Sequence, residues 1–124
     1  MLRLPDGQDT ATFLKHYWQR RPLLMRNALQ VPDAVSADEL AFLACDEEVE
    51  SRIVMEHGVS GPWQVLHGPF ADDDFAQLPG SHWTLLVQDV DKLLPEVARV
   101  LDDFRFLPDW RVDDIMVSYA ADQG

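Results

Sequence analysis

At 124 residues with 47% apolar side chains, the chain is long enough to fold around a core of its own. Ten basic residues against twenty-two acidic ones leave a net charge of −12, which repels phosphate backbones and anionic membranes and points to basic partners. The single cysteine, Cys45, excludes an internal disulfide, and no apolar run reaches the ~20 residues of a membrane-spanning helix. With no cationic-then-apolar leader, repeat or low-complexity tract, residues 1–124 are expected to form one unit in the cytosol.

After a Pro5-Asp6-Gly7 turn, Thr10 is placed to cap a first helix. Phe13, Leu14, Tyr17 and Trp18 share one face of it, and Lys15, His16, Gln19 and Arg20 take the wet side. Pro22 should end this helix, because the residue before a proline avoids helical angles. Leu23-Leu24-Met25-Arg26 then reads as a short strand. Past Val31-Pro32-Asp33, Ser36 and Glu39 have capping-box spacing, and Val35 and Leu40 are placed as a hydrophobic staple. A second helix follows, turning Leu40, Leu43 and Ala44 inward and stopping before Asp46-Glu47-Glu48.

Residues 51–56 and 63–67 are β-like runs joined by Gly58-Val59-Ser60-Gly61-Pro62, the composition of a hairpin with a long turn. His67-Gly68-Pro69-Phe70 breaks the second run. Asp72-Asp73-Asp74 marks the start of one or two helical turns, since carboxylates favour that end of the helix dipole. Residues 83–90 read as another strand. Leu93, Leu94, Val97, Val100, Leu101 and Phe104 form one stripe of an amphipathic helix, with Pro95 in its first turn. The result is an α+β fold with mainly antiparallel pairing, in which residues 1–50 form a helical cover with one short strand and 51–124 supply the sheet and the amphipathic helix.

The closing stretch is Leu107-Pro108-Asp109-Trp110-Arg111-Val112-Asp113-Asp114-Ile115-Met116-Val117-Ser118-Tyr119-Ala120. Read as a strand, it sends Val112, Asp114, Met116 and Ser118 to one side and Asp113, Ile115, Val117 and Tyr119 to the other. A bulge would exchange the two aspartates. Paired carboxylates here either cap a strand in water or line a cavity. In a cavity, Asp114 is placed to take a two-pronged hydrogen bond from a guanidinium whose stem packs on the Met116 thioether. The strand runs out at Ala121-Asp122-Gln123-Gly124 with its edge unpaired, which leaves the sheet open to a second copy.

Other chemistry is sparse. None of His16, His57, His67 and His82 is followed two residues later by a carboxylate, and no Cys/His spacing matches a zinc site. His67, beside a Gly-Pro break, is the histidine best placed to meet a cavity, or else it is held by a structural hydrogen bond. Cys45 lies among acids that should raise its thiol pKa, which makes it a structural residue. Trp18, Trp63, Trp83 and Trp110 each fall within an apolar period and fit core and lid packing. Neither a Gly-rich phosphate loop nor a nucleophile elbow occurs.

Six segments carry a resemblance. They are Phe-Leu-Lys-His-Tyr-Trp-Gln-Arg-Arg-Pro at 13–22, Ser-Ala-Asp-Glu-Leu-Ala at 36–41, Ser-Arg-Ile-Val at 51–54, Trp-Gln-Val-Leu-His-Gly-Pro-Phe at 63–70, Trp-Thr-Leu-Leu-Val-Gln at 83–88 and the run at 107–119. In order and spacing they resemble the N-terminal part of the bacterial ribosomal oxygenases, JmjC-type cupin enzymes that hydroxylate an arginine of a large-subunit ribosomal protein. The resemblance implies N-terminal helices on part of an antiparallel double-stranded β-helix, with the rest of the barrel and the dimerisation region absent. It implies Fe(II) and 2-oxoglutarate as cofactors of the full-length enzyme and none bound by this chain alone. The family's His-x-Asp motif would fall just after a position like Gly124, so no catalytic residue or metal ligand is expected within the chain. On the family pattern Asp114 receives the substrate arginine, with Met116 beside it. A basic ribosomal protein as partner, a homodimeric parent and a cytoplasmic setting without direct nucleic-acid contact are implied as well. The charge by itself fits equally a non-enzymatic acidic module that binds a basic peptide.

Overall fold

The computed structural model describes residues 2–5, 8–31, 35–56 and 61–124. Its helices are α1 (Thr10–His16), α2 (Ala37–Ala44), α3 (Asp72–Ala76) and α4 (Pro95–Ala98), and its strands are β1 (Ser51–Met55), β2 (Gln64–His67), β3 (Trp83–Val87) and β4 (Val117–Ala120). The strands form one antiparallel sheet in the order β2-β1-β3-β4. Ile53 stands opposite both Leu66 and Leu85, and Leu85 opposite Tyr119, so these four share a face with Ser51, Val87 and Val117. That face is the core side. Ile53 and Val87 are fully buried there among Leu40 and Ala44 of α2, Val49, Phe70, Val90 and Val97. The other face carries Arg52, Val54, Val65, Leu86 and Ser118, all half-buried or exposed.

The capping box at the start of α2 forms as its spacing predicts. Ser36 Oγ accepts the Glu39 N–H and Glu39 Oε2 accepts the Ser36 N–H, each at 3.1 Å, while Val35 and Leu40 meet the same core. At its far end, Ala44 carbonyl oxygen accepts the Phe70 N–H at 2.9 Å and the Ser51 hydroxyl at 3.4 Å. The Gly68 N–H bonds Ser51 carbonyl oxygen at 2.9 Å, and a Cβ at Gly68 would stand 2.1 Å from Ser51 Oγ. Only glycine lets the corner after β2 approach β1 this closely. The hairpin pairing of β1 with β2 is as expected; of its turn, residues 57–60 lie outside the described residues, as do Asp6-Gly7 and 32–34.

Several boundaries differ from those expected. The N-cap of α1 is Asp9, whose Oδ1 accepts the Thr12 N–H at 2.8 Å, and not Thr10; this bond holds the Asp9 carboxyl below its usual pKa. The helix stops at His16, well before Pro22, because Gln19 takes φ 59 and the chain folds Tyr17 and Trp18 back onto Phe13. Phe13 in turn meets Phe106 edge-on at 5.9 Å, which ties α1 to the chain's other half. Leu23-Leu24-Met25-Arg26 shows the burial alternation of a strand, yet it pairs with no sheet edge and is irregular. β3 ends at Val87 instead of Val90, since Asp89 takes φ 56 and Val90–Lys92 winds into a 3-10 turn that buries Val90. The amphipathic stripe after it is α4 followed by a 3-10 segment, Arg99–Phe104, and Leu93 lies outside the apolar face, exposed. Leu94, Val97 and Val100 recur every three residues, a spacing that suits both windings. No helix among the described residues is long and apolar enough to cross a membrane.

Candidate functional site

The expected long strand at 107–119 is three pieces. Asp109–Arg111 is a 3-10 turn, residues 112–116 have no regular structure and no ladder partner, and Val117–Ala120 pairs with β3. The reason lies across the sheet: β3 has already turned away at Asp89, so nothing is left for residues 112–116 to pair with. A side-chain clamp replaces the ladder. Asp114 Oδ2 accepts the Asp89 N–H at 3.1 Å, Asp91 Oδ1 accepts the Ile115 N–H at 2.8 Å, and the Val90 N–H donates to Ile115 carbonyl oxygen at 3.0 Å. Lys92 pairs with Asp89 beneath the clamp, and that carboxylate raises the lysine's pKa, with Asp91 and Asp113 adding to the effect.

Around the clamp, residues of both phases of the expected alternation reach one cleft. Ile115 and Val117 pack on the core, and Tyr119 meets Trp83 with tilted rings whose centroids lie 5.7 Å apart. Asp114, Met116 and Ser118 line a cleft of about 830 Å³ together with their neighbours Val112, Asp113, Ile115 and Val117. Trp18, Leu29, Val31 and Val35 border this cleft from the N-terminal segment, and Val100, Leu101, Phe104 and Leu107 from the region after α4. Its walls are thus mostly apolar, with Asp113, Asp114 and Arg111 among the polar groups. Asp114 is half-buried and Asp113 exposed.

One backbone N–H fixes the Asp114 carboxylate without exhausting it, because an ionised carboxylate has about four acceptor positions. Oδ1 meets no donor among the described residues, so the group can accept from a ligand in the cleft. Met116 stands beside it, partly exposed. A cation with an apolar stem matches this pairing of charge and thioether. The Asp89–Asp91 clamp and the stacking of Arg111 on Trp110 at 4.4 Å were not anticipated from the sequence. Part of the signal for the clamp was there, in Asp91 shortly after a strand, where a carboxylate accepts backbone N–H groups in turns.

The histidines do not join the cleft. His67 is exposed on β2, His82 Nδ1 lies 2.7 Å from Ser81 Oγ, and His16 is exposed at the end of α1, while His57 falls outside the described residues. Among the described residues no three His, Cys, Asp or Glu side chains converge on a metal position.

No protein-family model matches the chain. It is 42% identical over 113 residues to the ribosomal protein uL16 3-hydroxylase of Escherichia coli (strain K12), which covers 90% of this chain and 29% of that protein. It is 36% identical over 122 residues to a probable ribosomal oxygenase of Haemophilus influenzae, covering 98% and 30%. A crystal structure of E. coli YcfD superposes with a TM-score of 0.84 at 39% identity, over 98% of this chain and 31% of that one. The chain corresponds to the N-terminal part of a ribosomal oxygenase. It spans about 30% of the length of the relatives it matches. The helices, the antiparallel sheet and the cleft between them are accordingly one portion of the ribosomal oxygenase fold. A further structure of YcfD, with a TM-score of 0.82 and 41% identity over 98% of this chain and 32% of that one, contains cobalt and 2-oxoglutarate.

Proposed function

We propose that this ribosomal oxygenase segment forms the substrate-holding wall of an enzyme that hydroxylates an arginine of a large-subunit ribosomal protein, the counterpart of uL16. The observation that carries the reading is Asp114, oriented by the Asp89 N–H at 3.1 Å and presented to a mostly apolar cleft beside Met116. A guanidinium would bond the carboxylate while its stem lies along the thioether, which fixes the side chain's carbons against rotation. The parent enzyme takes Fe(II) and 2-oxoglutarate, which together supply oxidising power for a C–H bond. The described residues of this chain do not fit the metal, since they gather no set of two histidines and a carboxylate, and no step at the metal is assigned to them. The parent works as a homodimer in the cytoplasm, on a basic protein substrate and without direct nucleic-acid contact. The net charge of −12 supports that choice of partner.

Asp114→Asn in the full-length protein is the test. The amide oxygen keeps the bond from the Asp89 N–H while the charge is lost, so folding and metal binding should be retained. Hydroxylation of the ribosomal protein, read by mass spectrometry, should fall about a hundredfold, the scale on which misplacing a reacting group is felt. Unchanged turnover would remove Asp114 from the site. A full-length protein that binds a basic peptide at this cleft yet oxidises none under any metal loading would instead favour a non-enzymatic acidic module.

A further inference from the structure

A second groove lies between α2 and α3 and shares no lining residue with the cleft. Asp38, Ala41, Phe42 and Cys45 fall at i, i+3, i+4 and i+7 and share one side of α2, and Asp72 and Phe75 face them from α3, enclosing about 540 Å³. α2 therefore has two apolar stripes. Leu40 and Ala44 are spent on the sheet, whereas Phe42 stands at the groove with 79% of its surface exposed. A lone exposed phenylalanine is ordinary. This one opens a groove whose opposite wall, Phe75, is fixed by its contact with Phe70 at 5.7 Å. The charged members of the lining are both carboxylates, and each sits in the first turn of its helix.

We propose that this groove docks a segment of a basic protein, with an arginine or lysine stem lying along Phe42 and Phe75 and the cationic head meeting Asp38 and Asp72. The chemistry is complementary on both counts: aromatic faces and apolar stems attract the same side chain whose charge the rim accepts. A net charge of −12 draws cationic segments to this surface and repels RNA and anionic lipid. It also opposes a second copy, which would bring carboxylates against carboxylates. The groove is independent of Asp114, so a segment held here need not be the one oxidised.

The test is fluorescence anisotropy of a fluorescein-labelled tetra-arginine peptide with the full-length protein. Phe42→Ser, an exposed change that spares the core, should weaken binding about fivefold by removing the aromatic face. The double variant Asp38→Asn/Asp72→Asn should weaken it about tenfold or more through loss of charge-assisted bonds. Glu47→Gln/Glu48→Gln removes the same charge elsewhere on the surface and should change binding by less than about twofold. Equal losses in the two charge variants, or native affinity in Phe42→Ser, would reduce the groove to one part of a generally acidic surface and overturn the proposal. Sedimentation in which Phe42→Ser dissociates a dimer would also overturn it, by giving the groove to a second copy.

Discussion

Asp114 serves two purposes with two oxygens. Oδ2 holds the Asp89 turn, where φ is 56 and a non-glycine backbone needs support, and the cleft receives what remains of the acceptor capacity. Truncation and charge removal are therefore different experiments: Asp114→Ala frees the turn as well, and Asp114→Asn does not. Cys45 shows a comparable division between geometry and charge. Burial raises its thiol pKa first, and the charges of Asp72 and Asp74 raise it further, so thiolate is scarce at neutral pH. Alkylation by iodoacetamide at pH 7 should be slower than for an unperturbed thiol and should accelerate as the pH rises toward the shifted pKa. Removing a neighbouring negative charge makes ionisation easier, so Asp72→Asn should speed the reaction at fixed pH. An unchanged rate in that variant would remove Asp72 from the causes and leave burial and Asp74.

Local rules decide the elements wherever the decisive partner is near in sequence. The Ser36–Glu39 box satisfies two N–H groups at the start of an eight-residue helix whose Leu40 and Ala44 help to build the core. Ser36→Ala should cost about 1 kcal/mol, read from a shifted urea midpoint at constant slope. A shift too small to measure would mean that packing of Leu40 alone holds the helix start. Half of the same arrangement starts α3, where Asp74 Oδ2 accepts the Ala71 N–H at 2.7 Å. These starts and the hairpin were legible because each depends on residues three or four apart or on strict alternation. The end of α1 at His16, the early end of β3 and the unpaired stretch at 112–116 were not. Each is set by contacts far along the chain: Phe13 with Phe106, or Asp114 with Asp89, 25 residues away. A period-2 pattern reports which side a residue faces and says nothing about whether a neighbouring strand is present, as Leu23 to Arg26 also show.

For the molecule as a whole, the acidic charge is the term that solvent conditions can move. Lys92–Asp89, Arg105–Asp102 and Arg105–Asp109 are ion pairs three or four residues apart between exposed groups, the kind that contributes least to stability. Against them stands a net charge of −12 on a chain of 124 residues, whose mutual repulsion is relieved when the chain expands. Both effects are screened by salt, but they respond in opposite senses: screening the pairs destabilises the fold and screening the repulsion stabilises it. The Debye length is about 8 Å at physiological ionic strength and about 3 Å at 1 M, so repulsion summed over the surface fades before contacts at hydrogen-bond distance do. The urea midpoint should therefore rise between 0.05 M and 0.5 M sodium chloride, a tenfold change in concentration that shortens the Debye length about threefold. Guanidinium chloride would hide the effect, because it supplies its own ions. A midpoint that falls with salt would assign the stability to the ion pairs instead, and would require one of them to be held more tightly than its exposure implies.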